Sequence, residues 1–208
     1  MLKSEFELAV SELVRDNDSV LTGNEMQAAI DAMLQKYSVD NPKQVVIDVS
    51  GAEVYEIEVP VNWHPNFSSV LTAEYPIGQK PRAFVNCSVY ETPTGPSLEF
   101  DTELNGNVRL TYTVMHTLDE TGCTIPFSHE VACVNYATAY LCDHLSVYYA
   151  NEENSNFVAD SVDHASKTQK YKGLAKGLRA QYEELVTTPL EDKAAGQVAT
   201  WPKRRRMF

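Results

Sequence analysis

His129 and Cys133 are the pair in this chain best spaced for chemistry. They stand four apart in a stretch of helical character, so both would project from one face, as two ligands of one metal must. A closed metal site needs a second ligand pair, and the sequence offers none; a pocket with Cys123 would be the source of any metal site. The spacing fits a histidine near a helix start followed by a core cysteine. The four cysteines, Cys87, Cys123, Cys133 and Cys142, form no C-x-x-C pair and lie in no secretory context, which predicts reduced and mostly buried thiols.

Other candidates are weaker. Asp143-His144 offers a carboxylate and a base, but neighbours on a helix point about 100° apart and do not converge on one substrate. Asp160, Asp163 and His164 precede an apolar stripe, where carboxylates serve a helix N-terminus. Trp63, His64, Phe67, Tyr75, Tyr90 and Tyr112 could stack on a sugar, though aromatics at this density more often build a core or an interface. The sequence contains no G-x-S-x-G, glycine-rich phosphate loop, G-x-G-x-x-G or H-E-x-x-H. No enzyme, no catalytic residue, no metal and no cofactor is expected.

The last candidate is Lys203-Arg204-Arg205-Arg206, flanked by Trp201, Pro202, Met207 and Phe208. Such a cluster could touch nucleic acid, sit in solvent or dock on a protein. The aromatic flanks favour docking, because aromatic and arginine anchors carry interface energy. The chain's net charge is −12 over 208 residues. Residues 187–208 hold five cations against two acids, so they carry +3 and the rest −15. An acidic body disfavours phosphate binding, and a basic end on it reads as a docking tail.

The elements that must position these residues follow from periodicity. Residues 3–15 read as a helix with Phe6, Val10, Leu13 and Val14 on one face. Thr22 and Glu25 form a capping box for a second helix bearing Met26, Ala29, Ile30, Met33, Leu34 and Tyr37, and Pro42 stops it. From Lys43 the period drops to two. Short strands are expected at 45–49, 54–59, 70–75, 84–90, 97–100 and 108–114, with Asn105-Gly106 as a hairpin signal. Helical grammar returns at 129–150, apolar almost all round, so that helix is expected in a bundle or against neighbouring subunits. A last helix to Val186 reads as roughly 40 Å long, more than a domain of this size would cover alone. No run reaches the ~18 apolar residues of a membrane span, and no signal peptide pattern opens the chain, so a soluble protein starting in the cytoplasm is expected.

The expected fold class is α+β. A helical bundle (1–42 and 123–186) carries an inserted antiparallel β-sandwich or barrel (43–122), and an extended tail follows (187–208).

The order of motifs resembles the head–tail adaptor (connector or head-completion) proteins of tailed bacteriophages. The resemblance rests on Leu21-Thr22-Gly23-Asn24-Glu25 through Ala28-Ala29-Ile30, Tyr37-Ser38 and Pro42 through Val49. It continues with Trp63, Phe67-Ser68, Glu74-Tyr75-Pro76 and Leu110-Thr111-Tyr112-Thr113, ahead of the helix that includes Ala137 to Ala150. It ends with Ala159 to Asp163, Ser166-Lys167, Tyr171, Leu174-Ala175 and Tyr182 to Leu185, spanning about residues 20–186. The tail is its least similar part. Membership would imply a virion protein, made in the host cytoplasm, that forms a ring of about twelve copies below the portal. The ring would join capsid to the next neck or tail protein and continue the channel for double-stranded DNA without reading its sequence. Expected docking residues are Trp201, Lys203, Arg204, Arg205, Arg206 and Phe208; expected subunit contacts are Val131, Tyr140, Tyr148, Tyr171, Leu178 and Tyr182. A carbohydrate-binding β-module of a phage or its host is the alternative reading.

Overall fold

A computed structural model describes residues 1–16, 18–93, 95–152 and 164–187. The chain is mixed helix and sheet. Helices α1 (Lys3–Val14) and α2 (Gly23–Asp40) come first. Strands β1 (Lys43–Ser50), β2 (Val54–Glu58), β3 (Val70–Glu74), β4 (Cys87–Thr92), β5 (Gly95–Leu104) and β6 (Asn107–Val114) follow. A 3-10 turn (Phe127–His129) leads into α3 (Glu130–Glu152), and α4 (His164–Thr187) is the last described helix. Among the described residues no helix is long and apolar enough to cross a membrane.

The start of α2 shows local sequence dictating structure. Thr22 Oγ1 accepts from the Glu25 N–H at 3.4 Å, and the Glu25 carboxylate accepts from the Thr22 N–H at 2.6 Å. Two backbone donors that a helix start leaves open are thereby satisfied. These bonds hold the Glu25 carboxyl below its ordinary range. In α1 the buried residues are Phe6, Val10 and Val14, whereas Leu13, expected on that face, is 45% exposed.

The helices share one core. Phe6 and Val10 of α1, Ile30, Met33 and Tyr37 of α2, and Ala137, Leu141 and Leu145 of α3 meet there, with Tyr182 of α4. A smaller cluster, Ala139, Cys142, Ala175 and Leu178, fills the seam between α3 and α4. The α3–α4 pair is antiparallel, since Asn135 bonds Gln181 at 3.3 Å while Tyr149 stacks on Tyr171 with ring centroids 5.7 Å apart. The all-round apolar character of α3 has its cause here. It is the central helix, with α1 and α2 on one side and α4 on the other, so its own protomer covers most of it and leaves Val131, Val147 and Tyr148 exposed. The 23-residue α3 covers the inner edge of the 24-residue α4, while Leu174 and Leu185 on α4 stay exposed.

The strands form two antiparallel three-stranded sheets, ordered β1-β6-β3 and β2-β5-β4. Both feed one apolar cluster: Ala73, Val108, Leu110 and Tyr112 from the first, Ile57, Leu98, Phe100 and Leu104 from the second, with Trp63 stacked on Tyr112 at 6.0 Å. Asn105-Gly106 does not make the expected hairpin. β5 and β6 already have both lateral partners, in different sheets, so the chain crosses between sheets at this point. Gly106 accepts from the Gly51 N–H at 3.0 Å, and a Cβ on Gly51 would lie 2.5 Å from Leu104 Cβ. Glycine is required there by the close approach.

His116 fastens the strands to the helices. Its Nε2 stands 2.8 Å from the Asn41 carbonyl, just before β1, and its own N–H donates to Ser38 Oγ at 2.9 Å. Its Nδ1 lies 3.1 Å from Thr124 Oγ1. A neutral ring protonated on Nε2 donates to Asn41 and accepts from the threonine hydroxyl. Burial pushes the His116 pKa down, which favours that neutral form.

Candidate functional site

The thiols first. Cys133 is fully buried, and burial pushes its thiol far up; Cys87 and Cys142 are pushed up to about 11 by the same cause. At neutral pH all three stay protonated and are poor nucleophiles and poor ligands. His129, buried at the end of the 3-10 turn before α3, uses its Nδ1 on the Tyr37 hydroxyl at 2.7 Å. Burial in turn raises the Tyr37 hydroxyl to about 12. Among the described residues no three histidine, cysteine or acidic side chains are placed to hold a metal.

Asp143 and His144 diverge as helix geometry requires. Asp143 accepts from Arg179 of α4. His144 stacks on Tyr140 at 5.1 Å and lies 3.7 Å from Glu25 of α2. Asp160 and Asp163 lie outside the described residues, and His164 is the first residue of α4.

The aromatics of the strands do not gather into a stacking platform. Trp63 and Tyr112 are core. Tyr75 uses its hydroxyl to accept from the Asn105 N–H at 2.8 Å. The exposed ones divide between the sheets, with Phe84 beside β1-β6-β3 and Tyr55 and Tyr90 on β2-β5-β4. A concavity of about 660 Å³ lies on the outer face of β1-β6-β3. Its charges are already matched: Arg109 holds Asp48 through two bonds of 2.7 and 2.8 Å, and Glu74 accepts from the Gly78 N–H at 3.1 Å, with Arg82 4.0 Å away. Arg109 keeps the Asp48 carboxyl below its usual range.

The surfaces remain as candidates. Of the six residues expected at subunit contacts, Val131 and Tyr148 are exposed, at 62% and 43%. Tyr140 and Tyr171 are half-buried. Leu178 and Tyr182 are corrected: both pack inside the protomer, and the Tyr182 hydroxyl donates to Asp40 at 2.6 Å. The exposed arc of α4 was missed instead. Gly173, Leu174 and Gly177 fall within about a third of its circumference. A Cβ on either glycine would meet nothing within 4 Å, and Leu174 is 39% exposed. Two glycines four apart inside a long helix were the readable signal. The docking residues Trp201, Lys203, Arg204, Arg205, Arg206 and Phe208 lie outside the described residues. No protein-family model matches the chain, and no curated protein matches it.

Proposed function

We propose that this chain is a structural subunit of the head–tail joint of a tailed bacteriophage, a ring-former that sits under the portal and extends the DNA channel. One observation carries the reading beyond the motif resemblance. The outer arc of α4 carries Gly173 and Gly177, which cost about 1 kcal/mol each against alanine in a helix, although a Cβ at either position would meet nothing within 4 Å. Small residues at this spacing let a second helix approach closely. Leu174 on the same arc, with Val131 and Tyr148 on α3, would supply apolar contact to a neighbouring copy. The two sheets are read as a small β-sandwich presented to the next protein in the joint. The acidic body suits a channel wall that repels passing DNA rather than retaining it.

The test uses the full chain with purified cognate portal and reads the mass of the complex. A ring of about twelve copies is expected. A Gly173→Leu/Gly177→Leu chain should fold and melt no lower than the wild type, since leucine is the better helix former, yet fail to close the ring. Binding of a single copy per portal, or full rings from the double variant, would refute the proposal.

A further inference from the structure

The sheet β2-β5-β4 carries an unusual charge pattern. Its three strands contain no lysine, arginine or histidine. Ile57, Leu98, Phe100 and Leu104 point into the core, so the alternate residues Glu56, Glu58, Glu99, Asp101 and Glu103 occupy the outer face. Glu56 stands directly across from Glu99 in the ladder. Like charges in that position destabilise a sheet. Among the described residues none of the five forms an ion pair. Tyr90 lies on this face too, opposite Ser97, and is 55% exposed. Asp101 accepts from Asn86 Nδ2 at 2.6 Å, but a face that keeps five carboxylates and a tyrosine with no cation on its strands is suited to a cationic, aromatic partner.

The chain itself contains such a partner. Lys203-Arg204-Arg205-Arg206 lies between Trp201 and Phe208. In an extended strand, residues two apart share a side and stand about 7 Å apart. Glu99, Asp101 and Glu103 have that spacing on β5, and Arg204 and Arg206 would reproduce it. Residues 187–201 span up to about 45 Å when extended, comparable to the width of a domain of this size. We infer that residues 201–208 of one copy dock on the outer face of β2-β5-β4 of a neighbouring copy, with the cations on the carboxylates and an aromatic or arginine side chain against Tyr90. A neighbour is present only if the ring reading holds. The contact itself can be assayed on free protein, so the two proposals can fail separately.

A fluorescent peptide of residues 199–208 is titrated with the full chain and followed by anisotropy. Binding is expected at low salt and should weaken at least about tenfold toward 0.5 M salt, where screening shortens to a few ångströms. Glu56→Lys/Glu99→Lys should weaken it by about tenfold or more, and Glu56→Gln/Glu99→Gln by less. The same charge change placed on the helices, Glu12→Lys/Asp31→Lys, should leave it within about twofold. A peptide with glutamate at positions 204–206 should instead prefer the Glu56→Lys/Glu99→Lys chain. The proposal is overturned if the peptide does not bind, or binds both lysine variants alike. It is also overturned if Arg204→Glu/Arg205→Glu/Arg206→Glu abolishes retention on duplex DNA while the sheet variants leave peptide binding unchanged, which would assign the basic end to nucleic acid.

Discussion

The two sheets share one core and differ in everything outside it. On β1-β6-β3, Asp48 meets Arg109 and Glu74 has Arg82 nearby, so exposed charge is matched within the sheet. That sheet is also tied to the helices, because β1 and β6 run directly from and to the segments held by His116. The sheet β2-β5-β4 has neither charge matching nor a direct chain connection to the helices. A sheet that anchors is built for stability, and its surface is self-sufficient. The other sheet meets the first through its inner face, and among the described residues its outer face carries no ion pair.

The strongest way to break this comparison is to cut the shared core from each side. Leu98 of β5 and Leu110 of β6 are both fully buried. Leu98→Ala and Leu110→Ala should each cost about 2–5 kcal/mol, the usual range for a leucine deleted from a packed interior. Chemical denaturation should show the losses similar in size and each a single transition. If Leu98→Ala instead melts the outer sheet in a separate early step, the two sheets do not stand on one core.

A smaller effect tests the anchor. His116 has a folded pKa below its ordinary 6.5, so the unfolded chain takes up the proton first as pH falls. The histidine's contribution is therefore complete above about 6.5 and is lost as pH drops toward the lower folded value. The depressed carboxyls of Glu25 and Asp48 add their own loss only at lower pH, because their ordinary values are 4.5 and 3.8. Melting temperature measured between pH 7.5 and 5 should decline in the wild type, and the decline should flatten in His116→Gln. A wild-type curve with no slope in that window would remove His116 as a titrating anchor.

The smallest effect sharpens the contrast in surface charge. Glu99→Lys replaces repulsion from Glu56 with attraction and should raise stability by roughly 0.2–1 kcal/mol, the range of a cross-strand pair. Arg109→Glu on the other sheet does the reverse to Asp48 and should lower stability slightly. Matched denaturation curves would read both signs. Equal signs would mean that the two outer faces do not differ in the way described.

Much of the fold was legible because it is decided locally. The Thr22–Glu25 box and the alternation of β1 from Lys43 to Ser50 need no distant partner to be recognised, whereas the alternation read through Val54 to Val59 is broken by a register shift between Val54 and Glu56. Partner choice was not legible. Asn105-Gly106 looks like a hairpin turn to any local rule, and only the lateral pairing of β5 and β6 with other strands makes it a corner. The apolar surround of α3 had two physical solutions, burial by neighbours in the same chain or in another, and periodicity is blind to the difference. Leu178 and Tyr182 of α4 met the same blindness, since an apolar stripe does not say which chain covers it. The acidic face follows from register, since Glu56 and Glu99 are 43 residues apart in sequence and adjacent only across the ladder. A charge count confined to each strand would have exposed its missing cations.

Lys43 and Val114 face each other across one rung of the β1–β6 ladder. Their Cα atoms are thus about 5 Å apart, as in any antiparallel pair. Seen from the helices, the excursion through 43–114 begins and ends at one rung, so the helices bridge the same short gap however long the excursion is. As long as β1 and β6 stay paired, changes in the strands between them leave the distance the helices must bridge unaltered. This makes the β-module a cassette, one that could be exchanged to meet a different neighbour while the helical frame and its packing stay as they are.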